Sequence, residues 1–453
     1  MKKINITQNP FIIFTPFLII YWLIIIIFHQ NTLEGDQAKY LEYARNLTQG
    51  FYSLPGPDID IITGPGYSIF LMPFVWFDLP LLSITLMNGI FKYLSLVFLF
   101  KTLHEFVTFK NALIFSLFWA CYYNCLEYIH KITSETFSVF LMTILAFFIV
   151  RTFRKIYFQK NIVYLILAGL TLGFLALTKI IFGYVIIFML IIIAILSILN
   201  LKNKNYWRGF LIVTIALMTT IPYLINTYQL SGKIFYWGTS GGNNLYWMST
   251  PFEGEYGDWF RDPVLDAIAY HSDNQVYSDI HVQSDNPWLH LTSRRLPNSV
   301  ENIKENHGEK FEEFNKFKGV ERDNAFKKAA INNIKTHPYK FIQNCISNTG
   351  RILFNFPYSY SIQKSSTLYR LPFNGIIVVF MIISLIPTIL FWRKISFSIK
   401  FMLSIVILYL GGSILGSAET RMFTLIVPVL LIWIAYIVHR TIIVKLNFDY
   451  NGS

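Results

Sequence analysis

Residues 11–28 read FIIFTPFLIIYWLIIIIF and carry no charge. As a helix rising about 1.5 Å per residue, this run is about 27 Å long. That is close to the roughly 30 Å hydrocarbon core of a bilayer. A helix satisfies its own backbone hydrogen bonds, which lipid cannot do, so an apolar run of this length is read as a membrane span. It follows Met1-Lys2-Lys3 and is longer than the apolar part of a secretion signal. No small-residue cleavage site precedes Asn31, so we read it as an uncleaved first span.

The pattern recurs along the chain. Spans are expected near 10–29, 83–104, 110–127, 135–152, 161–178, 180–200, 207–226, 371–392, 399–417 and 422–440. Composition agrees: 54% of residues are hydrophobic and 14% charged, against about 25% charged in soluble domains. The fold class expected is an all-α polytopic membrane protein with about ten transmembrane helices and an extracytoplasmic loop domain. The run 67–77 is apolar but too short to span, and reads as an interfacial or re-entrant helix.

The net charge of +12 would suggest nucleic acid on a soluble protein. Here the basic residues sit at helix ends, where orientation explains them. With the N-terminus in the cytoplasm, the inner side holds Lys2, Lys3, Lys101, Lys110, Arg151, Arg154, Lys155, Lys160, Lys202, Lys204, Arg208, Arg393, Lys394, Lys400, Arg440 and Lys445. The short outer connections hold only Lys39, Arg45, Lys131, Lys179 and Arg421. Residues 30–82 and 227–370 then face outward from a cell (inner) membrane. The chain divides into an N-terminal membrane domain (1–226), an extracytoplasmic domain (227–370) and C-terminal membrane helices (371–453). Residues 301–336 read as helical, and 338–356 as an amphipathic helix on the membrane surface. Cys121, Cys125 and Cys345 lack disulfide or metal spacing and read as buried free thiols.

The chemistry-bearing residues cluster at the outer boundary. Asp36 opens a helix expected over 37–49; it is either an N-cap in a solvated loop or a functional acid. That helix puts Tyr40, Tyr43, Ala44 and Leu47 on one face. Glu135 begins the fourth span, where the helix dipole favours a negative charge. Glu419-Thr420-Arg421 joins the last two spans and reads either as an exposed ion pair or as part of a site. Lys179 stands alone in a very short turn, positioned to meet an anionic head group or to snorkel. Lys92 is inside the second span, where a cation is functional by default unless a neighbour such as Asn88 accounts for it.

Together these residues resemble a known family. Asp36, Tyr40, Ala44 and Gly50, then Gly64-Pro65-Gly66-Tyr67 and a short apolar helix, resemble the first outer loop of the GT-C glycosyltransferases. The likeness is to the family 39 protein mannosyltransferase-like group, which includes lipid A aminoarabinose transferases. Thr133-Ser134-Glu135-Thr136-Phe137 is similar to that group's Ser–Glu motif before a span. Gly173-Phe174-Leu175-Ala176-Leu177-Thr178-Lys179 is similar to its Gly-rich span ending in Thr-Arg. Pro222-Tyr223, Tyr228, Gly232-Lys233 and Gly241-Gly242 resemble a further stretch, and Glu419 to Arg421 followed by Pro428 resembles the closing segment. Asn226 and Lys179 depart from the group by standing where it has arginine.

The resemblance implies an inverting transferase that moves a sugar from a polyprenyl-phosphate carrier to a lipid, glycan or protein acceptor at the outer face. Asp36 would be the catalytic base, assisted by Glu135. Tyr40, Tyr67, Lys179, Arg421 and Glu419 would bind substrate, the two cations meeting the donor phosphate. Membrane lipids are the remaining partner and nucleic acid is not one. The cofactor is unidentified, with a divalent cation left open. The outer histidines His130, His271, His281, His290, His307 and His337 show no ligand spacing. The other readings are a transporter or flippase of a lipid-linked glycan, for which Lys92 speaks, and a non-catalytic scaffold presenting 227–370.

Overall fold

A computed structural model describes residues 9–33, 36–154, 158–260, 299–359 and 366–441. Lys2, Lys3, Lys155, His271, His281, His290 and Lys445 lie outside them. The apolar runs form the helices α1 (Pro10–Phe28), α4 (Leu81–Leu103), α7 (Ser134–Phe153), α8 (Phe158–Thr178), α9 (Ile181–Leu199), α10 (Lys204–Ser231), α15 (Ser366–Leu390), α16 (Phe397–Leu415) and α17 (Thr420–Thr441). Among the described residues these nine are long and apolar enough to cross a bilayer. The chain is therefore an all-α polytopic membrane protein. α7 and α17 are the most buried spans, and α1 and α15 the least. The bundle is thus centred on the two helices that begin with Ser134-Glu135 and Thr420-Arg421. Ile26, Ile27, Ile386, Ile389 and Leu390 are exposed and suit a lipid-facing surface. α8 and α10 approach closely because a Cβ on Gly169 or Gly173 would come within 2.6 Å of Ile215 or 2.5 Å of Thr219. Small residues at such spacing let membrane helices meet backbone to backbone.

The expected third span departs from a single helix. α5 (Phe109–Ala120) stops at Cys121, and one further turn, α6 (Tyr123–Leu126), follows. Polar side chains explain the break. Tyr122 donates to Asn374 Oδ1 at 2.6 Å, and the Asn124 amide donates to the same atom at 3.2 Å. Irregular backbone at membrane depth must be satisfied by neighbours. Here Tyr21 donates to the Ala120 carbonyl at 3.0 Å, and Lys92 Nζ donates to the Trp119 carbonyl at 2.8 Å. Lys92 also lies 3.5 Å from the centre of the Trp119 ring. It braces a broken helix and does not reach Asn88, whose amide donates to the carbonyls of Ile129 and Lys131. All three cysteines are free, but only Cys125 is buried; Cys121, at the break, is exposed.

Two groups of short helices complete the chain. Between α1 and α4 lie α2 (Asp36–Thr48) and α3 (Gly66–Trp76). Tyr40, Leu41, Tyr43 and Ala44 of α2 are buried. Between α10 and α15 lie α11 (Gly241–Met248), α12 (Ser299–Phe314), α13 (Gly319–Thr336) and α14 (Pro338–Phe354). The run expected helical over 301–336 is two helices, parted at 315–318 and restarted at Gly319 with φ +50°. Tyr246, Trp247, Ile303, Phe311, Phe314 and Phe326 form a small core of their own. In α14 the polar residues Asn344, Asn348 and Arg351 are buried, whereas Tyr339, Ile342 and Ile346 are exposed. Such polar-in, apolar-out patterning is the reverse of a water-facing helix and suits one lying at a membrane interface.

Candidate functional site

α2 is fastened at its first turns to the start of α7. Gln37 Oε1 accepts from the Ile132 amide at 3.0 Å, and the Tyr40 hydroxyl bonds Ser134 Oγ at 2.9 Å. Ser68 Oγ of α3 donates to the Tyr40 carbonyl at 3.2 Å, and the Tyr40 and Tyr67 rings meet edge-on at 5.0 Å. α3 in turn sits on the end of α8. A side chain on Gly64 would strike the Leu177 carbonyl oxygen, and one on Gly66 would strike Thr178 Oγ1. Only glycine permits this approach, which sets the first outer loop beside Lys179.

These fastenings assemble one charged cluster at one end of the bundle. Lys179 Nζ lies 2.9 Å from Glu135 Oε1. Arg421 Nη1 lies 3.0 Å from Asp36 Oδ2 and 3.4 Å from the same Glu135 oxygen. Arg421 Nε lies 3.2 Å from Glu419 Oε2. All five charged positions singled out at the outer boundary therefore meet, with Tyr40 and Tyr67 lining the adjoining wall. Asp36 is the first residue of its helix, and its carboxylate bonds Arg421. Lys92 is not part of the cluster.

The members differ in exposure. The Glu135 side chain is 6% exposed, whereas those of Asp36 and Glu419 are 51% and 50% exposed. Glu135 is thus the fixed anchor, at a helix start where the dipole favours its charge. Burial alone would lower the proton affinity of the Lys179 ammonium, but Glu135 beside it outweighs this and raises it. Burial pushes the Tyr40 hydroxyl up, so it is a neutral hydrogen-bonding group. Glu135 Oε2 and the Tyr67 hydroxyl are buried without a hydrogen-bond partner in the protein. Buried polar atoms are seldom left so, and those that are call for an explanation such as ligand binding. Among the described residues, no group of three or more His, Cys, Asp or Glu side chains is placed to hold a metal ion.

Two supporting residues escaped the sequence reading. Asn348 of α14 donates to the carbonyls of Ser413, Ile414 and Gly416 at 3.1, 3.0 and 2.6 Å. Arg351 donates to the Ala418, Tyr256 and Pro357 carbonyls at 3.1, 3.2 and 3.0 Å, and to Asn348 Oδ1 at 2.8 Å. Thr420 Oγ1 donates to the Arg351 carbonyl at 3.0 Å. Together they hold the end of α16 and the unwound link of residues 416–419 that presents Arg421. A signal was available: Asn344, Asn348 and Arg351 form a polar stripe at i, i+4 and i+7 along one face of the helix. Arg351→Ala is expected to lower stability by about 3 kcal/mol or more by stranding several buried carbonyls. Thermal unfolding of the purified variant measures this, and an unchanged midpoint would show the link to be held otherwise. Of the described outer histidines, His307 is buried between the Tyr246 hydroxyl (2.9 Å) and Glu255 Oε2 (3.0 Å), inside the core of the 241–336 helices.

No protein family matches the sequence, and no curated protein does. Among solved structures, the chain is similar to the crystal structure of ArnT from Cupriavidus metallidurans bound to undecaprenyl phosphate. The identity is 11%, covering 95% of this chain and 77% of that one, with a TM-score of 0.41. It is similar also to the same protein's crystal structure in the apo state, at 11% identity, the same coverage and a TM-score of 0.40.

Proposed function

We propose that this protein is an inverting glycosyltransferase. It takes a sugar from a polyprenyl-phosphate carrier and passes it to an acceptor at the outer face of a cell membrane, its N-terminus lying in the cytoplasm. The observation that carries the reading is the meeting of Arg421 with Asp36, Glu135 and Glu419, and of Glu135 with Lys179, at one end of an apolar bundle. A carrier's tail must stay in lipid while its phosphate meets cations at the boundary. Lys179 and Arg421 stand at such a boundary, and arginine suits a phosphate because its planar fork donates two parallel bonds. Glu135 keeps both cations in place.

The chemistry asks for one base. The acceptor hydroxyl oxygen attacks the anomeric carbon and its proton passes to Asp36. The bond from that carbon to the carrier phosphate breaks, and the phosphate leaves with the electron pair. Asp36 suits the role because half of its side chain is open to an incoming acceptor and a carboxylate within reach can act as general base. The 227–370 segment is assigned to acceptor recognition. A flippase reading loses its main support because Lys92 is engaged by the Trp119 carbonyl.

The test is mass spectrometry of envelope glycans and glycoproteins with and without the gene, alongside purified protein given a polyprenyl-phosphate sugar. Loss of one glycan species and release of polyprenyl phosphate are expected. Unchanged glycans with intact donor would overturn the reading.

A further inference from the structure

Resting on that reading, we propose that Asp36 and Glu419 are exchangeable counter-ions of Arg421, and that the carrier phosphate displaces them, so that donor binding itself releases the base.

The geometry carries the argument. Three carboxylates face two cations, so the cluster holds one formal negative charge in excess before any anion arrives. A phosphodiester cannot simply be added to it; one of the carboxylates must give way. Glu135 is the one that stays. It is buried, it bonds both Lys179 and Arg421, and its removal would strand two cations. Asp36 and Glu419 are each half exposed and each held to Arg421 by a single contact, 3.0 Å at Nη1 and 3.2 Å at Nε. Exposed pairs of this kind contribute little, so solvent and a competing anion exchange with them readily. Nη1 and Nε lie on different edges of the guanidinium and each forms a fork with Nη2, so a phosphate on the Nη1–Nη2 edge takes the donor that Asp36 now uses, and one on the Nε–Nη2 edge takes the donor that Glu419 uses.

The exchange has a functional sense. A carboxylate bonded to a guanidinium has a lone pair engaged and is held towards that partner, not towards an incoming hydroxyl. Before the donor arrives, Asp36 is held; once the phosphate takes Arg421, Asp36 is free to face the acceptor hydroxyl. Glu419 then acts as a competitor that Arg421 must release, and not as a substrate ligand.

Binding of polyprenyl phosphate to the full-length protein in nanodiscs tests this without reference to turnover. Polyprenol and inorganic phosphate serve as the other probes. Asp36→Asn and Glu419→Gln are each expected to tighten polyprenyl phosphate binding by about twofold to fivefold, the range set by exposed ion pairs. Arg421→Ala is expected to weaken it. Polyprenol should show neither effect, and inorganic phosphate should compete only weakly. If the wild type binds polyprenyl phosphate but both carboxylate variants bind it equally or less well, the exchange is refuted while the transferase reading stands. If the wild type binds no polyprenyl phosphate, the transferase reading itself falls. If only inorganic phosphate binds and follows the variant pattern, a lipid source is refuted.

Discussion

Asp36→Asn is expected to abolish sugar transfer, by about 10² to 10⁴-fold, the contribution of a positioned general base. The protein should remain folded. The side chain is half exposed and its bond is to Arg421, also partly exposed; such a pair contributes little to stability. Asparagine keeps a carbonyl oxygen that can still accept from Arg421, so the cluster's shape survives while the proton acceptor is lost. The loss should therefore fall on turnover at saturating donor, while carrier binding is no weaker than in the wild type. Assay of purified protein with a polyprenyl-phosphate sugar measures it, with thermal unfolding as the control for folding. Transfer within a fewfold of wild type would remove Asp36 from the role. So would cysteine labelling that found position 36 accessible only from the cytoplasmic side.

How much of this was legible beforehand follows from where the constraints act. Lipid forces each crossing segment to be an apolar helix, so residues 11–28, 181–199 and 420–440 declare themselves in the sequence. The region 110–127 looks the same in composition but is broken, because Tyr122 and Asn124 find Asn374 from a distant part of the chain. Nothing local marks that partnership. Cys121 was expected to be buried for the same reason and is exposed at the break. For the site, the alternation of spans places positions 36, 135, 179 and 421 at one end of the bundle, and there they meet. Their pairing was not readable. Asp36 and Arg421 are 385 residues apart, and only tertiary packing shows that Arg421 is shared among three carboxylates. Gly64 and Gly66 stand out as a motif, but the reason for them, the end of α8 pressed against the loop, arises only in the folded chain.

The other large effect is expected at Glu135. Its Oε1 atom lies 2.9 Å from Lys179 Nζ and 3.4 Å from Arg421 Nη1, and its side chain is buried. Removing one partner of a buried ion pair leaves the other charge without compensation, at a cost of about 3–5 kcal/mol. Glu135→Ala is therefore expected to destabilise the protein by about that amount, far more than Asp36→Asn, and to abolish transfer as Lys179 and Arg421 lose their place. A cycle with Lys179→Met separates the two consequences. Methionine fills much of the volume of the lysine stem without a charge, so Glu135→Gln combined with Lys179→Met should be more stable than Glu135→Gln alone. Transfer should stay lost in the double variant, because one of the two cations assigned to the carrier phosphate has gone with its counter-ion. Thermal unfolding and donor binding, measured on the same four proteins, decide the matter. If the double variant is as unstable as Glu135→Gln, the stranded lysine is not the source of the cost. If it binds the carrier as tightly as wild type, Lys179 is not a phosphate ligand, and Arg421 carries that contact without it.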